Sequence, residues 1–103
     1  MKALTVKPEF ARLIMSGEKR IENRSWGKSV RGDIAIHRGG AGGAVLGVVA
    51  VVDVLSAGDA SARYPEQSEY IHGPLCWVLD NPRPLQNPIP CKGRLSLWDC
   101  LAL

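Results

Sequence analysis

The chain has 103 residues, of which 46% are hydrophobic and 22% are charged. This length provides one hydrophobic core, so we expect a single domain over residues 1–103, and the composition excludes a disordered chain. The longest apolar run, residues 44–52, is too short to span a bilayer. The three cysteines lack metal-ligand spacing, and their odd number favours a reducing compartment, so we expect a soluble cytoplasmic protein with free thiols.

The net charge of +3 is distributed unevenly along the chain. Residues 1–40 contain nine lysines and arginines and four acidic residues, whereas residues 41–103 contain four and six. Clustered cations attract phosphate groups whatever the sequence of the ligand. We therefore expect an anionic partner to bind within the first 40 residues, and the alternative is an ordinary solvated face.

The first 26 residues predict a strand, a helix and a second strand. Residues 3–6 form the first strand, and Pro8 suits the first position of a helix, because its missing N–H is not needed there. Phe10, Leu13 and Ile14 give this helix an apolar stripe, and Gly17 is placed to end it in a left-handed conformation. The second strand is predicted over residues 19–26.

The rest of the chain is predominantly strand. The glycine-rich residues 38–43 predict a flexible loop, and the proline-rich residues 81–90 predict an extended connection that cannot pair as a central strand. Further strands are predicted over residues 33–37, 44–55, 75–79 and 94–101, with a helical turn over residues 59–63. Five or six mixed strands with one or two short helices predict an α+β fold, closed into a small β-barrel.

A motif follows the first helix directly. Gly17, Lys19, Glu22 and Arg24 have the spacing GxKxxExR. Segments on both sides of this motif, from residues 4–8 through Leu97-Trp98, resemble segments of one protein family. The chain resembles the ASCH domain family, which has a PUA-like barrel fold. The resemblance implies RNA or nucleotide binding in a cleft beside the first helix, and we expect single-stranded RNA to be favoured. Small hydrolases and a protein-interaction domain are the alternatives.

The residue types in and around the motif suit an anionic ligand. Lys7 stands where free backbone N–H groups at the helix start already favour an anion, and Arg24 offers a planar fork to a phosphate or to Glu22. Glu22 is also an acceptor for the amine of a base. Trp26 has a face on which a base can stack, and Arg38 is the only charge of the glycine-rich loop. The predicted nucleic-acid-binding residues are therefore Lys7, Lys19, Glu22, Arg24, Trp26 and Arg38.

The enzyme alternative assigns catalysis to Lys19 and Glu22. In the cytidine amidohydrolases of the family, the residue three positions after the motif lysine is a nucleophilic threonine, and Glu22 replaces it here. For ribonuclease action, His37 or Glu22 would handle a proton. Lys19 and Glu22 differ by an odd number of residues, so they share a face only if Lys19 lies in a turn or the strand bulges. We expect no metal site and no cofactor, since no cluster of ligands has the required spacing.

Overall fold

A computed structural model describes the whole chain, residues 1–103. It contains six strands, two α-helices and one short 3-10 helix, which confirms the α+β class and the strand count. The strands are β1 (Lys2–Val6), β2 (Ile21–Arg24), β3 (Gly32–Arg38), β4 (Ala44–Ser56), β5 (Leu75–Pro90) and β6 (Leu97–Asp99). The helices are α1 (Pro8–Ser16), α2 (Ala57–Arg63) and the 3-10 helix (Pro65–Tyr70). Strands β2 and β6 are both shorter than predicted.

Helix α1 begins and ends where local signals indicate. Pro8 occupies its first turn, and Gly17 ends it in the left-handed conformation at φ 84°, with its N–H donating to the Ile14 carbonyl. Ile14 is buried, but Phe10, which the apolar stripe assigned to the core, is exposed. The Phe10 ring lies near the Lys19 ammonium, in a cleft described below.

The sheet is curved but not closed. Its strand order is β2-β5-β4-β3-β1-β6; only β1 and β3 pair in parallel, and the predicted closure of the barrel is wrong. The edge strands β2 and β6 have four and three residues and do not pair with each other. A side chain links β2 to β1 instead, because Arg24 Nη2 donates to the Thr5 carbonyl at 3.1 Å. The open side of the sheet therefore leaves room for a cleft between these two strands.

The proline-rich segment, predicted as an extended connection after a strand over residues 75–79, is part of β5, which continues to Pro90. Pro84 lies opposite Gly47, and Pro90 lies opposite Ala44, in the antiparallel ladder with β4. The ladder between β2 and β5 ends at Val78, so beyond that point β5 is an edge strand. A proline in an edge strand can turn its missing N–H side away from its only partner, which explains why this segment remains in the sheet.

The core holds β2 against the rest of the sheet. Trp77 on β5 is fully buried and packs with Leu4, Ile14 and Ile36. The Trp26 ring meets it edge to face at 5.2 Å, and Trp77 Nε1 donates to the Trp26 carbonyl at 3.1 Å. A buried aromatic pair of this kind fixes the position of the segment after β2, and with it the motif strand.

Candidate functional site

The turn after α1 places Lys19 and Glu22 on the same side. The Lys19 N–H donates to the Leu13 carbonyl at 3.1 Å, so Lys19 lies in the turn that follows α1 and precedes β2. Its ammonium reaches Glu22 Oε1 at 3.1 Å and also donates to the Ile21 carbonyl. The alternation of a regular strand does not apply to a residue in a turn, and this explains how the two side chains meet.

Glu22 is the centre of a buried ion network. Lys19 and Glu22 are only 3% and 7% exposed. Glu22 Oε2 accepts from Arg24 Nε at 3.0 Å and lies 2.9 Å from Arg24 Nη2. Each carboxylate oxygen is therefore engaged by a cation. A carboxylate in this position orients Lys19 and Arg24, and it is poorly placed to take a proton from water or substrate.

A cleft of about 630 Å³ lies over this network. Phe10 and Tyr70 flank the Lys19 ammonium, with ring centres 5.4 and 5.8 Å from Nζ. Lys19 has three N–H donors and makes two hydrogen bonds, so one donor has no hydrogen-bond partner within the protein. The cleft is lined by Thr5, Val6, Lys7, Phe10, Lys19, Glu22, Asn23, Arg24, Glu69, Tyr70 and His72.

The cleft carries a cationic excess. Lys7, Lys19 and Arg24 face two carboxylates, Glu22 and Glu69, which leaves a net charge of +1 among the lining residues. Lys7 is exposed, makes no ion pair and stands directly before α1. Arg24 Nη1 has no partner within the protein, although Nε and Nη2 are both engaged. These two side chains can bind an anion without giving up an existing contact.

The far wall of the cleft comes from residues that sequence reasoning did not select. Tyr70 and His72 lie about 50 positions from the motif, and Asn23 ties them to it. Asn23 Nδ2 donates to the Tyr70 carbonyl at 2.8 Å, and its Oδ1 accepts from the His72 N–H at 2.9 Å. Burial, followed by the Glu69 carboxylate, raises the pKa of Tyr70 above its ordinary value. Only the asparagine inside the motif was a signal for this wall.

Two of the predicted binding residues lie outside the cleft. Trp26 is half-buried against Trp77, and Arg38 Nη2 donates to the Gly42 carbonyl within its own loop at 2.8 Å. His37, considered above for proton transfer, is 2% exposed and does not line this cleft either. The structure thus brings together four of the six predicted residues: Lys7, Lys19, Glu22 and Arg24.

The remaining features concern metal ligands, membrane-spanning helices and cysteines. The structure contains no group of three or more His, Cys, Asp or Glu side chains able to hold a metal ion. None of the helices is both long enough and apolar enough to cross a membrane. Cys76 and Cys100 are buried, and Cys91 is half-buried.

Comparison with known proteins adds a family and a fold. A family model, described as the ASCH domain, matches residues 4–89. The chain is 24% identical to human (Homo sapiens) activating signal cointegrator 1 over 124 aligned positions, which cover 92% of this chain and 21% of that protein. It thus spans about a fifth of the length of this relative.

Two of the similar crystal structures come from Zymomonas mobilis. One, described as ASCH, superposes with a TM-score of 0.72 at 20% identity and covers 98% of this chain and 88% of that one. A tyrosine-to-phenylalanine variant of the Zymomonas protein gives a TM-score of 0.64 at 21% identity, covering 86% and 74% of the two chains. At this level of identity the similarity supports the fold alone.

Proposed function

Since the chain belongs to the ASCH domain family, we propose that its cleft binds RNA or a nucleotide, with single-stranded RNA preferred. One observation carries the proposal: the Lys19–Glu22–Arg24 network holds two cations at the base of a cleft with aromatic walls. Such a site offers charge to a phosphate and flat faces to a base. Both are needed to hold a nucleotide, and a simple anion site needs only the first.

The phosphate is assigned to Lys7 and Arg24. Both side chains have free donors facing the cleft, and Arg24 is oriented by Glu22 and by the Thr5 carbonyl. A guanidinium that is already held in place loses little side-chain entropy when it binds a phosphate. Lys7 adds charge beside the free N–H groups at the start of α1.

The base is assigned to the space between Phe10 and Tyr70. The Lys19 ammonium lies near both rings, and its remaining donor suits a carbonyl oxygen on the edge of a base. A base inside a duplex cannot reach such a pocket, because its faces are stacked and its edge is paired. This geometry favours an unpaired nucleotide.

The hydrolase alternative has weaker support. Lys19 and Glu22 remain its catalytic candidates, but both oxygens of Glu22 are held by cations. A general base needs a free oxygen within reach of the proton that it removes. For this reason we favour binding over catalysis for this cleft.

Fluorescence anisotropy with a labelled single-stranded ten-nucleotide RNA tests the proposal. Because Lys7 is exposed and unpaired, Lys7→Gln removes one phosphate contact without disturbing the fold. We expect it to weaken binding by about fivefold at low salt, and to reduce the slope of log K against log salt by about 0.7. Phe10→Ala removes a stacking face and is expected to weaken binding by about tenfold.

Lys28→Gln is the matched control, since Lys28 is exposed, makes no ion pair and lies outside the cleft. We expect it to change affinity by less than about twofold. A duplex of the same sequence is expected to bind more weakly, and incubation of the unlabelled RNA is expected to leave it intact. Absence of RNA binding at low salt would refute the proposal, and cleavage that is lost in a Glu22→Gln variant shown by tryptophan fluorescence to be folded would favour the hydrolase.

A further inference from the structure

A second cleft, of about 590 Å³, adjoins the first at Thr5. One side comes from the glycine-rich loop after β3, and the other comes from the segment between β5 and β6. The lining residues are Thr5, His37, Gly39, Gly40, Gly43, Cys91, Lys92, Gly93, Arg94 and Leu95. Nothing in the function proposed above uses this cleft.

The charges around the second cleft are all positive. Lys92 and Arg94 are exposed, neither makes an ion pair, and no carboxylate is among the lining residues. Four glycines leave the backbone of both sides uncovered by side chains. Two unpaired cations beside accessible peptide groups suit a phosphate. A cationic ligand would find no carboxylate to pair with its charge there.

Buried contacts hold the two sides of this cleft together. His37 forms the floor, with Nε2 2.7 Å from the Cys91 carbonyl and Nδ1 3.3 Å from the Thr5 hydroxyl. A Cβ at Gly93 would lie 2.7 Å from the His37 ring, so the segment carrying Lys92 and Arg94 packs directly on that floor. The cations therefore extend from a fixed backbone.

The two clefts meet at a single residue. The Thr5 carbonyl accepts from Arg24 in the first cleft, and the Thr5 hydroxyl contacts His37 in the second. We propose that the second cleft is a phosphate subsite for the same RNA strand, so that the ligand is an oligonucleotide extending past Thr5. This inference rests on the function proposed above. It adds that Lys92 and Arg94 bind the part of the strand that leaves the first cleft.

The test measures how the loss of these cations changes the affinity for a short and a long RNA. Affinity for oligouridylates of two and ten nucleotides is measured for the double variant Lys92→Gln/Arg94→Gln. The same measurement is made for the control variant Lys28→Gln/Arg63→Gln. Both variants lose two exposed positive charges, and the control positions lie outside both clefts.

We expect the Lys92/Arg94 variant to bind the ten-nucleotide RNA about tenfold more weakly, with a salt slope lower by about 1.4. Its affinity for the dinucleotide should match that of the unmodified protein, and the control should change either affinity by less than about twofold. In the unmodified protein, the backbone amide signals of Gly40 and Gly93 should shift on addition of the longer RNA only.

Failure of this inference is distinct from failure of the proposed function. If the unmodified protein binds RNA, but the Lys92/Arg94 variant loses no more affinity than the control, the second subsite is refuted and the first cleft stands. Equal affinity of the unmodified protein for two and ten nucleotides would refute it as well. If no RNA binds at all, both proposals are wrong.

Discussion

Replacing Glu22 with glutamine removes the negative charge from the centre of the buried network. Glu22→Gln keeps the shape of the side chain but leaves Lys19, which is 3% exposed, without a counterion. Arg24 also loses its charged partner, although its side chain is 25% exposed and water can compensate for part of that loss. The variant therefore isolates the contribution of one buried carboxylate to stability.

The expected destabilisation is about 3 kcal/mol. Removing one partner of a buried ion pair costs about 3–5 kcal/mol, and the glutamine oxygen can still accept one hydrogen bond, which favours the lower end. Lys19→Met is expected to cost less, about 1–2 kcal/mol, since Glu22 keeps Arg24. In the double variant no buried ammonium is left unpaired, so its loss should be smaller than the sum of the two single losses.

Urea unfolding followed by tryptophan fluorescence measures these differences. With a slope of about 1.5 kcal/mol per molar urea, the loss expected for Glu22→Gln lowers the midpoint by about 2 M. Additive losses in the double variant would show that Lys19 and Glu22 do not interact. A loss below about 1 kcal/mol for Glu22→Gln would refute the argument that the network is desolvated.

Three further predictions concern parts of the fold away from the network. Gly27→Ala should destabilise the protein by about 3 kcal/mol in urea unfolding, because Gly27 has φ 90° and an added Cβ would overlap the Trp77 ring. Arg83 donates two hydrogen bonds to Asp33. These hydrogen bonds are the main reason why the pKa of the Asp33 carboxyl lies below its ordinary 3.8. This stabilisation is present above the unfolded-state pKa and is lost as the pH falls through the folded-state value. Arg83→Gln should therefore lower the melting temperature at about pH 6 and leave it unchanged well below pH 3.8; an equal loss at both pH values would contradict the assignment. Burial raises the pKa of the Cys76 thiol, so its alkylation by iodoacetamide at about pH 8, measured by mass spectrometry, should be slow until urea unfolds the chain.

Elements with local signals were predicted accurately from the sequence. Pro8 and Gly17 bracket α1, and the valine-rich run after the glycine loop became β4 with nearly the predicted bounds. These signals act through the backbone of the residue itself or through near neighbours, so no tertiary information is needed to interpret them. The family resemblance was confirmed by the family model, which matches residues 4–89.

Elements that depend on distant partners were predicted poorly. Whether residues 81–90 pair was decided by the end of β2, which leaves β5 with β4 as its only neighbour there. The closure of the sheet depended on whether β2 and β6 pair with each other, and these strands lie about 75 positions apart. Strand pairing is a contact between segments that are remote in sequence, and no local sequence pattern indicates on which side a strand has no neighbouring strand.

The candidate site shows the same difference between local and long-range information. The sequence by itself determined four of the five charged residues of the cleft, since Lys19, Glu22 and Arg24 are neighbours in a short motif and Lys7 directly precedes the first helix; Glu69 was not among them. Only the tertiary structure decided how they are used: the Glu22 oxygens became occupied, Trp26 packed inward, and Tyr70 and His72 formed the opposite wall. The physical reason is that charge and hydrogen-bonding capacity belong to a residue, whereas burial and orientation depend on what the rest of the chain packs against it.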